Sequence, residues 1–411
     1  MNDCNPGPRL CTMAWAKRAA DEQGRGQTMA HAVDESKAEH WPALDGLRGT
    51  AVLAVLFEHV YQNWDPVVWL RPAHLGVELF FVLSGFLITR VLLNNRPEAV
   101  EGGSFRRVLG VFYLRRAIRI FPIYYLTLAV MIALSPWVNG LQGHHLWRLG
   151  YLTNFHMALH NTQDTYYGHL WTLAVEEQFY LIWPFVILCL PRRWLLPALL
   201  QVIALAPLWR GLASCMGLNE LWIRKPFWAS VDCLGAGALM ALYRWQPEAF
   251  RLPSRWTMRM ILIMCGLLLI AGLQGRWVED GQYLTIPFLN REATGQSLVA
   301  SLTLGTIETP FLVLLVMICI SKDESWFKAL MCWRPLRQLG KVSYGFYLYH
   351  AFCMSFVALG FRILNIPYLS GWGLHAFFVV VFLCSTAAAF LSWRWIEAPF
   401  NQMKKRFRYV G

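Results

Sequence analysis

The stretch LDGLRGTAVLAVLFEHV, residues 44–60, decides how the chain is interpreted, because Asp45, Arg48 and His59 interrupt an otherwise apolar helix. Charged groups inside a hydrocarbon layer are costly unless they face a cavity or a partner, so such residues indicate a function. At about 100° per residue, Arg48 and His59 return to nearly the same helix face about three turns apart, and Asp45 lies one turn before Arg48. The stretch therefore predicts a first membrane helix with an acid, a fixed cation and a titratable base on one face.

The composition around this stretch is that of a polytopic membrane protein. Of the 411 residues, 56% are hydrophobic and only 15% are charged, and the mean hydropathy is +0.37. A span needs roughly twenty apolar residues. We therefore predict an all-α integral membrane bundle over residues 42–396, with a disordered cytoplasmic tail at 1–41 and a basic cytoplasmic tail at 397–411. About ten spans are expected, near 44–63, 75–93, 112–134, 170–190, 195–215, 226–243, 258–273, 298–320, 342–362 and 373–395.

The basic residues predict the orientation. An even number of spans puts both termini on one side, and cytoplasmic termini place most of the 37 lysine and arginine residues in cytoplasmic segments. This distribution follows the positive-inside rule. Basic cytoplasmic rims next to anionic lipid headgroups also explain the net charge of +12 without nucleic acid as a partner.

A second polar motif is FYLRRAIRIFPIYYL, residues 112–126, which enters the third predicted span from the cytoplasm with Arg115, Arg116 and Arg119. Arg116 and Arg119 share a helix face. Guanidinium groups bind phosphate in bidentate fashion and stay charged when partly desolvated, so the pair suits a phosphorylated anion. A positive-inside anchor that reaches the headgroups is an equally good interpretation of this motif alone.

A third motif is LWTLAVEEQFYLIWPF, residues 170–185, which places Glu176 and Glu177 several residues into a predicted span. Adjacent residues on a helix point about 100° apart, so one carboxylate would face a polar cavity while the other pairs with an arginine or lies near the outer interface. The cost of intramembrane charge favours a functional role. An ion pair that fixes helix packing is the alternative.

Other segments carry weaker signals. GVELFFVLSGFLITR, residues 76–90, contains Glu78 and a Ser84-Gly85 pair that is more typical of close helix packing than of chemistry. LGKVSYGFYLYH ends in His350, which suits a hydrogen-bonded core histidine or a catalytic one equally well.

The predicted outer loop before the fourth span also carries polar and aromatic residues. His156 and His160 lie four residues apart, but no third ligand has suitable spacing, so we expect a solvated loop and no metal site. Its aromatic and polar residues suit sugar binding or an interfacial belt equally well; they are Asp164, Tyr166, Tyr167, His169 and Trp171.

Taken together, the chain resembles the membrane-bound acyltransferase-3 family, polytopic enzymes that transfer acetyl or related acyl groups from acyl-CoA to hydroxyls of envelope and secreted glycans. Six segments carry the resemblance in the expected order: LDGLRG followed by His59, GVELFFVLSGFLIT, FYLRRAIRIFPIYY, WTLAVEEQFYLIWP, LGKVSYGFYLYH and LSWRWIEAPF. Each is weak alone, and all six in order are specific. Thr172 and Ala174 depart from serines that are frequent in the family, and Glu78 stands where aspartate is frequent.

The resemblance implies which residues form the active site and which substrates they bind. Arg48 and His59 match required residues of the first helix, the Arg116 and Arg119 pair matches the cytoplasmic RxxR motif, and Glu176 and Glu177 match the acidic motif. We expect acyl-CoA as a co-substrate, with its phosphates on the arginines, no permanently bound cofactor, and a carbohydrate or glycolipid acceptor. The expected catalytic residues are His59, Arg48, Glu176, Glu177 and Asp45, the residues expected to bind acyl-CoA are Arg115, Arg116 and Arg119, and the expected substrate-binding residues are Glu78, Trp171, Tyr180 and His350.

Two mechanisms and one rival class stay open. His59, oriented by Arg48, Asp45 or Glu58, would take the proton from an acceptor hydroxyl as it attacks the thioester, or would itself carry the acyl group. The family implies acetyl as the acyl group and the bacterial inner membrane as the location. The acceptor is open among O-antigen, exopolysaccharide, secreted oligosaccharide, peptidoglycan and a small lipophilic metabolite. A transporter of an anion or glycan would also use a buried His, Arg and Glu set, although the chain lacks a clear internal repeat.

Overall fold

Helices form the regular structure in the computed structural model, which describes residues 40–62, 64, 67, 70–97, 104–135, 144–162, 167–245, 298–407 and 409. Those ranges contain no strand. The helices are α1 Pro42–Val60, α2 Pro72–Asn94, α3 Phe105–Leu134, α4 His145–Leu149, α5 Thr153–His160, α6 Leu170–Cys189, α7 Arg192–Cys215, α8 Glu220–Arg224, α9 Val231–Trp245, α10 Leu298–Ile320, α11 Trp326–Met331, α12 Arg334–Lys341, α13 Ser343–Ile363, α14 Gly371–Ser392 and α15 Ala398–Met403.

Six helical segments within the described residues are long and apolar enough to cross a membrane. They are α2, α3, α6, α7, α13 and the run Gly371–Met403, in which a π-helical turn at Trp393–Glu397 joins α14 to α15. Together with the hydropathy of the chain, these segments make it a multi-pass membrane protein. The count of about ten spans and the cytoplasmic position of the termini stay predictions.

Most predicted spans coincide with helices, and the differences have local causes. Helix α1 carries Asp45, Arg48 and Glu58 and so lacks the apolar character of the six segments. The sixth predicted span starts later than expected, at Val231, because the preceding residues form a short 3-10 turn, Phe227–Ala229. The span expected at 258–273 and residues 1–39 of the predicted tail lie outside the described residues.

The chain after residue 396 differs from the tail that we expected. The helix continues through Ala398–Met403, and a 3-10 turn at Lys404–Arg406 follows it. Pro399 is tolerated because it lies in the first turn after the π-helical segment, where an N–H group is not needed for the ladder. The last helix therefore carries residues of the predicted tail back against the bundle.

Backbone contacts fix the centre of the bundle. Helices α1 and α2 pack on each other, α1 also packs on α12, and α2 packs on α9. A Cβ atom at Gly85 would lie 1.9 Å from the Leu234 carbonyl oxygen, and one at Gly237 would lie 2.0 Å from that of Val82. Only glycine allows so close a crossing of α2 and α9. The Ser84-Gly85 motif thus has the packing role that its sequence indicates.

Candidate active site

Arginine side chains from two helices form the first part of the site. Arg48 of α1 is partly buried and interacts electrostatically with Arg119, Asp45 and Glu176. On α3, the guanidinium of Arg116 lies 5.4 Å from the ring centre of Tyr180 and 5.8 Å from that of Phe112. These aromatic faces hold Arg116 in place without neutralising it. The cluster therefore offers fixed positive charge to an anion, as the RxxR motif predicts.

The C-terminal helix adds residues to this arginine cluster that sequence reasoning missed. Lys404 interacts electrostatically with Arg119, Arg116 and Glu397, and the ring of Tyr409 lies 5.2 Å from the guanidinium of Arg115. Burial, followed by repulsion from Arg119, lowers the pKa of Lys404 to about 7. The segment LSWRWIEAPF supported the family resemblance, and it was the available signal for Glu397. No local pattern marks Lys404.

Glu176 lies at the junction between the two helices that carry this charge. Its Oε1 accepts a hydrogen bond of 2.7 Å from the hydroxyl of Ser84 on α2. The Tyr180 hydroxyl in turn donates to Ser84 Oγ over 3.2 Å. Glu176 also interacts electrostatically with Arg48 and Arg119. Ser84, read from the sequence as a packing residue, is thus also a positioning residue for the carboxylate.

Glu177 has different surroundings, as the 100° offset between adjacent helical residues predicts. It interacts electrostatically with Arg116 and with tyrosines on other elements, including Tyr124 and Tyr151. Those two rings are stacked with centres 4.2 Å apart. The neighbouring Gln178 exchanges hydrogen bonds with Asn154 over 3.0 and 3.1 Å and so ties α5 to α6. The three consecutive side chains thus have different partners. Glu176 interacts with Arg48 and Arg119, Glu177 interacts with Arg116 and tyrosines, and Gln178 holds α5 against α6.

Histidines form the second part of the site. The ring centre of His350 lies 5.2 Å from that of His59 and 5.1 Å from that of His169. His350 and His169 are buried, whereas His59 is exposed. The structure thus places His350 beside His59 and adds His169, which the sequence grouped only with the outer loop.

Each of these histidines has one ring nitrogen beside a backbone carbonyl. His59 Nδ1 lies 2.7 Å from the Val55 oxygen, His350 Nδ1 lies 2.6 Å from the Tyr347 oxygen, and His169 Nε2 lies 3.2 Å from the Leu348 oxygen. Because a carbonyl only accepts, each of these nitrogens carries the proton in the neutral ring. His59 Nε2 is therefore a lone-pair base. The contact that orients His59 is with Val55, whereas the sequence pointed to Arg48, Asp45 or Glu58. Glu58 instead accepts a hydrogen bond of 2.7 Å from the Ala73 amide.

A polar stripe on α6 connects the two parts of the site. His169, Thr172, Glu176 and Tyr180 follow one another at spacings of three or four residues and so share a helix face. The Thr172 hydroxyl lies 2.9 Å from that of Tyr347, and both lie within hydrogen-bond distance of the His169 carbonyl. The stripe rises about 16 Å, as does the step from Arg48 to His59 on α1. Helices α1 and α6 are thus antiparallel, and the polar face of each extends from the arginine cluster to the histidines.

The residues expected to bind substrate have partners in different parts of the structure. The ring of Trp171 packs on the ammonium of Lys225 at 3.8 Å and on Phe81 at 6.2 Å. Glu78 lies beside His74 and Glu308. The sequence singled out neither of these two partners. Tyr180 lies in the arginine cluster. His156 and His160 are joined by His144, with ring centres 4.3 and 5.7 Å from it, although the sequence offered no third histidine at suitable spacing.

Comparison with known proteins identifies the family of the chain. The family model described as an acyltransferase domain matches residues 41–394. The chain belongs to this acyltransferase family. The assignment favours an enzyme over the transporter that the sequence left open.

Named relatives of this acyltransferase are O-acetyltransferases. The chain is 27% identical over 389 residues to the peptidoglycan O-acetyltransferase OatA of Listeria monocytogenes, covering 88% of this chain and 56% of the relative. It is 28% identical over 390 residues to the putative peptidoglycan O-acetyltransferase YrhL of Bacillus subtilis, covering 87% and 54%. It is 25% identical over 395 residues to the O-acetyltransferase OatA of Staphylococcus aureus, covering 89% and 58%. The chain spans a little over half the length of these relatives. No solved structure matches it.

Proposed function

We propose that this acyltransferase moves an acetyl group from acetyl-CoA to a hydroxyl of a cell-wall glycan of the peptidoglycan type, across a bacterial inner membrane. One observation carries the proposal: polar faces of α1 and α6 join an arginine cluster to an accessible histidine base. The relatives from Listeria monocytogenes and Bacillus subtilis, a peptidoglycan O-acetyltransferase and a putative one, suggest the acceptor class and the acetyl group.

The donor would bind through its phosphates at the arginine cluster. Arg116 and Arg119 provide planar donors that match phosphate geometry, and Arg115 and Lys404 add charge beside them. The extended pantetheine arm would then follow the stripe from Arg48 toward His59. The phosphates of acetyl-CoA could therefore stay bound to the arginine cluster while its acetyl group reaches His59.

The chemistry would take place at His59 Nε2. This nitrogen accepts the proton of the acceptor hydroxyl as the hydroxyl oxygen attacks the thioester carbonyl. The C–S bond then breaks, the acetyl ester forms, and the CoA thiolate takes up the proton from Nε2. The Val55 carbonyl holds Nδ1–H throughout and keeps the reactive nitrogen on the accessible side of the ring.

Glu176 would act as a positioning residue for the donor channel. Held by Ser84, its carboxylate balances the charge of Arg48 and Arg119, so that the arginines keep a fixed geometry before the donor arrives. Glu177 interacts electrostatically with Arg116 of the same cluster. Removal of either carboxylate would loosen the arginine cluster without removing a phosphate ligand.

Binding of acetyl-CoA to the purified full chain in lipid nanodiscs tests the donor half of the proposal. Arg116→Ala removes a guanidinium with phosphate-binding geometry, for which charge-assisted hydrogen bonds of about 1.5 to 3 kcal/mol predict at least a tenfold weaker affinity. Arg107→Ala on the same helix is the matched control, because Arg107 is exposed. His59→Gln should leave binding near the wild-type value.

Transfer to a glycan tests the acceptor half. Wild-type protein, supplied with radiolabelled acetyl-CoA and soluble peptidoglycan fragments, should produce alkali-labile acetyl esters, and His59→Gln should not. His375→Gln is the matched control, since this exposed histidine contacts Tyr61 near the same helix end. Absence of acetyl-CoA binding by folded protein, or near-normal transfer by His59→Gln, would refute the proposal.

A further inference from the structure

A third polar cluster lies outside both parts of the candidate active site. His74 and Glu78 lie one turn apart on α2, and Glu308 reaches them from α10. His74 Nε2 lies 3.0 Å from Glu78 Oε1 and 3.0 Å from Glu308 Oε2. Ligand atoms of all three residues lie within 4.8 Å of one another, which among the described residues is an arrangement able to hold a metal ion.

The charge of this cluster needs compensation. Glu78 is 8% exposed and Glu308 is 4% exposed, in helices that pack within an apolar bundle. When both carboxylates are ionised and the imidazole is neutral, as metal binding requires, the cluster carries two negative charges, which is strongly unfavourable in a medium of low dielectric constant. One divalent cation would cancel that charge completely. Arg71 and Arg224 also interact electrostatically with Glu308, and they compensate it only from the surroundings.

The contacts of this cluster leave buried polar atoms that an ion could bind. Although His74 Nε2 is close to two carboxylate oxygens, none of these contacts gives His74 Nε2 a hydrogen bond, and Glu78 Oε2 and Glu308 Oε2 are buried without a hydrogen-bond partner. Ligand atoms about 2.0 to 2.2 Å from one tetrahedral metal lie about 3.3 to 3.6 Å from each other. The two separations of 3.0 Å are a few tenths of an ångström shorter, so small side-chain shifts would make room for an ion.

We propose that His74, Glu78 and Glu308 bind a divalent transition-metal cation, with Zn²⁺ as the best match. One imidazole and two carboxylates form a donor set that suits Zn²⁺ and leaves a fourth position for water. Mg²⁺ prefers oxygen ligands and retains its waters, so the imidazole disfavours it. The sequence predicted no metal site, because Glu308 is far from His74 in the chain. This proposal does not depend on the proposed function.

The ion would connect α2 to α10 at the start of α2. Ala73, the residue before His74, donates its amide hydrogen to Glu58 at the end of α1. Glu58 directly precedes His59. The metal would therefore stabilise the helix end against which the His59 end of α1 is held, as a structural ion without contact to the reacting groups.

Metal analysis of the full chain in nanodiscs tests the proposal. Protein is stripped with a chelator, equilibrated with Zn²⁺, and passed through a desalting column. We expect about one equivalent of retained Zn²⁺ above the level in Glu308→Gln and Glu78→Gln, and at least tenfold weaker affinity in both variants. Glu324→Gln is the matched control, because this carboxylate is 83% exposed. Zn²⁺ bound by other histidines is retained equally by all variants and cancels.

Two further measurements keep the result decisive if a variant folds poorly. Zn²⁺ should raise the melting temperature of the stripped wild type and of Glu324→Gln, and Mg²⁺ should not. Co²⁺ should give a visible absorption band in the wild type that is absent from Glu308→Gln. If the wild type retains no more Zn²⁺ than Glu308→Gln and Zn²⁺ leaves its melting temperature unchanged, protons neutralise the cluster and the proposal is wrong.

Discussion

Replacement of Ser84 by alanine tests how Glu176 is positioned in the site. Ser84 donates a hydrogen bond of 2.7 Å to Glu176 Oε1, and hydrogen bonds to charged groups contribute about 1.5 to 3 kcal/mol. At about 1.4 kcal/mol per factor of ten, loss of the full contribution in the transition state predicts a fall in kcat/KM of roughly 10- to 100-fold. The protein should remain folded, because alanine fits the helix and the packing contact belongs to Gly85.

The assay is acetyl-CoA consumption, followed by release of the free thiol, in a double-mutant cycle with Glu176→Gln. If Ser84 acts through Glu176, Ser84→Ala should have little further effect in the Glu176→Gln protein, and the coupling energy should be about 1 to 3 kcal/mol. Ser355→Ala is the matched control, since that hydroxyl donates to the Ala351 carbonyl of its own helix. Equal rate losses from Ser84→Ala in both backgrounds would refute the reasoning.

Three further predictions concern stability and pH. Gly85→Ala should lower the melting temperature in nanodiscs by an overpacking cost of about 1 to 3 kcal/mol or more, because its Cβ would lie 1.9 Å from the Leu234 oxygen, whereas Gly110→Ala, with nothing within 4 Å, should not. Burial lowers the pKa of Lys404 to about 7, and the phosphates of acetyl-CoA would bind its protonated form. In binding titrations, the affinity for acetyl-CoA should therefore fall as the pH rises through about 7. Lys404→Met should make the affinity less dependent on pH. Arg96→Met should lower the melting temperature, because Arg96 donates to the Ile187 and Leu190 carbonyls, and each carbonyl left unsatisfied costs about 1 to 3 kcal/mol.

Local periodicity was enough to predict how several of the candidate residues are placed on their helices. The spacing from Arg48 to His59 predicted a helix with one polar face, and α1 has both residues on it at the expected rise. The 100° offset between Glu176 and Glu177 predicted that they face different surroundings, and their partners differ. These inferences succeeded because helix geometry links residues within a few turns of one another.

Contacts between segments far apart in the chain could not be predicted from the sequence. The spacing of His169 on the α6 face was local, but its contact with His350 was not, and Lys404 joins the site because the last helix folds back against α3. Glu78 was expected to bind substrate, and the contacts that the structure shows for it are with His74, one turn away, and with the cluster that includes Glu308 on another helix. The pair at i and i+4 was visible in the sequence, and its third member was not.

The equal rise of the polar faces on α1 and α6 has a consequence for how the membrane barrier is kept. About 16 Å is roughly half of a hydrocarbon core of about 30 Å. In the proposed function, the highly charged CoA moiety stays on the cytoplasmic side of the membrane, and only the acetyl group passes to the acceptor on the other side. A passage narrow enough for a thioester arm needs no alternating opening of the helices, and the close crossing of α2 and α9 at Gly85 and Gly237 would keep those two helices fixed beside it. Ions would thus be excluded by the same packing that admits the acyl group.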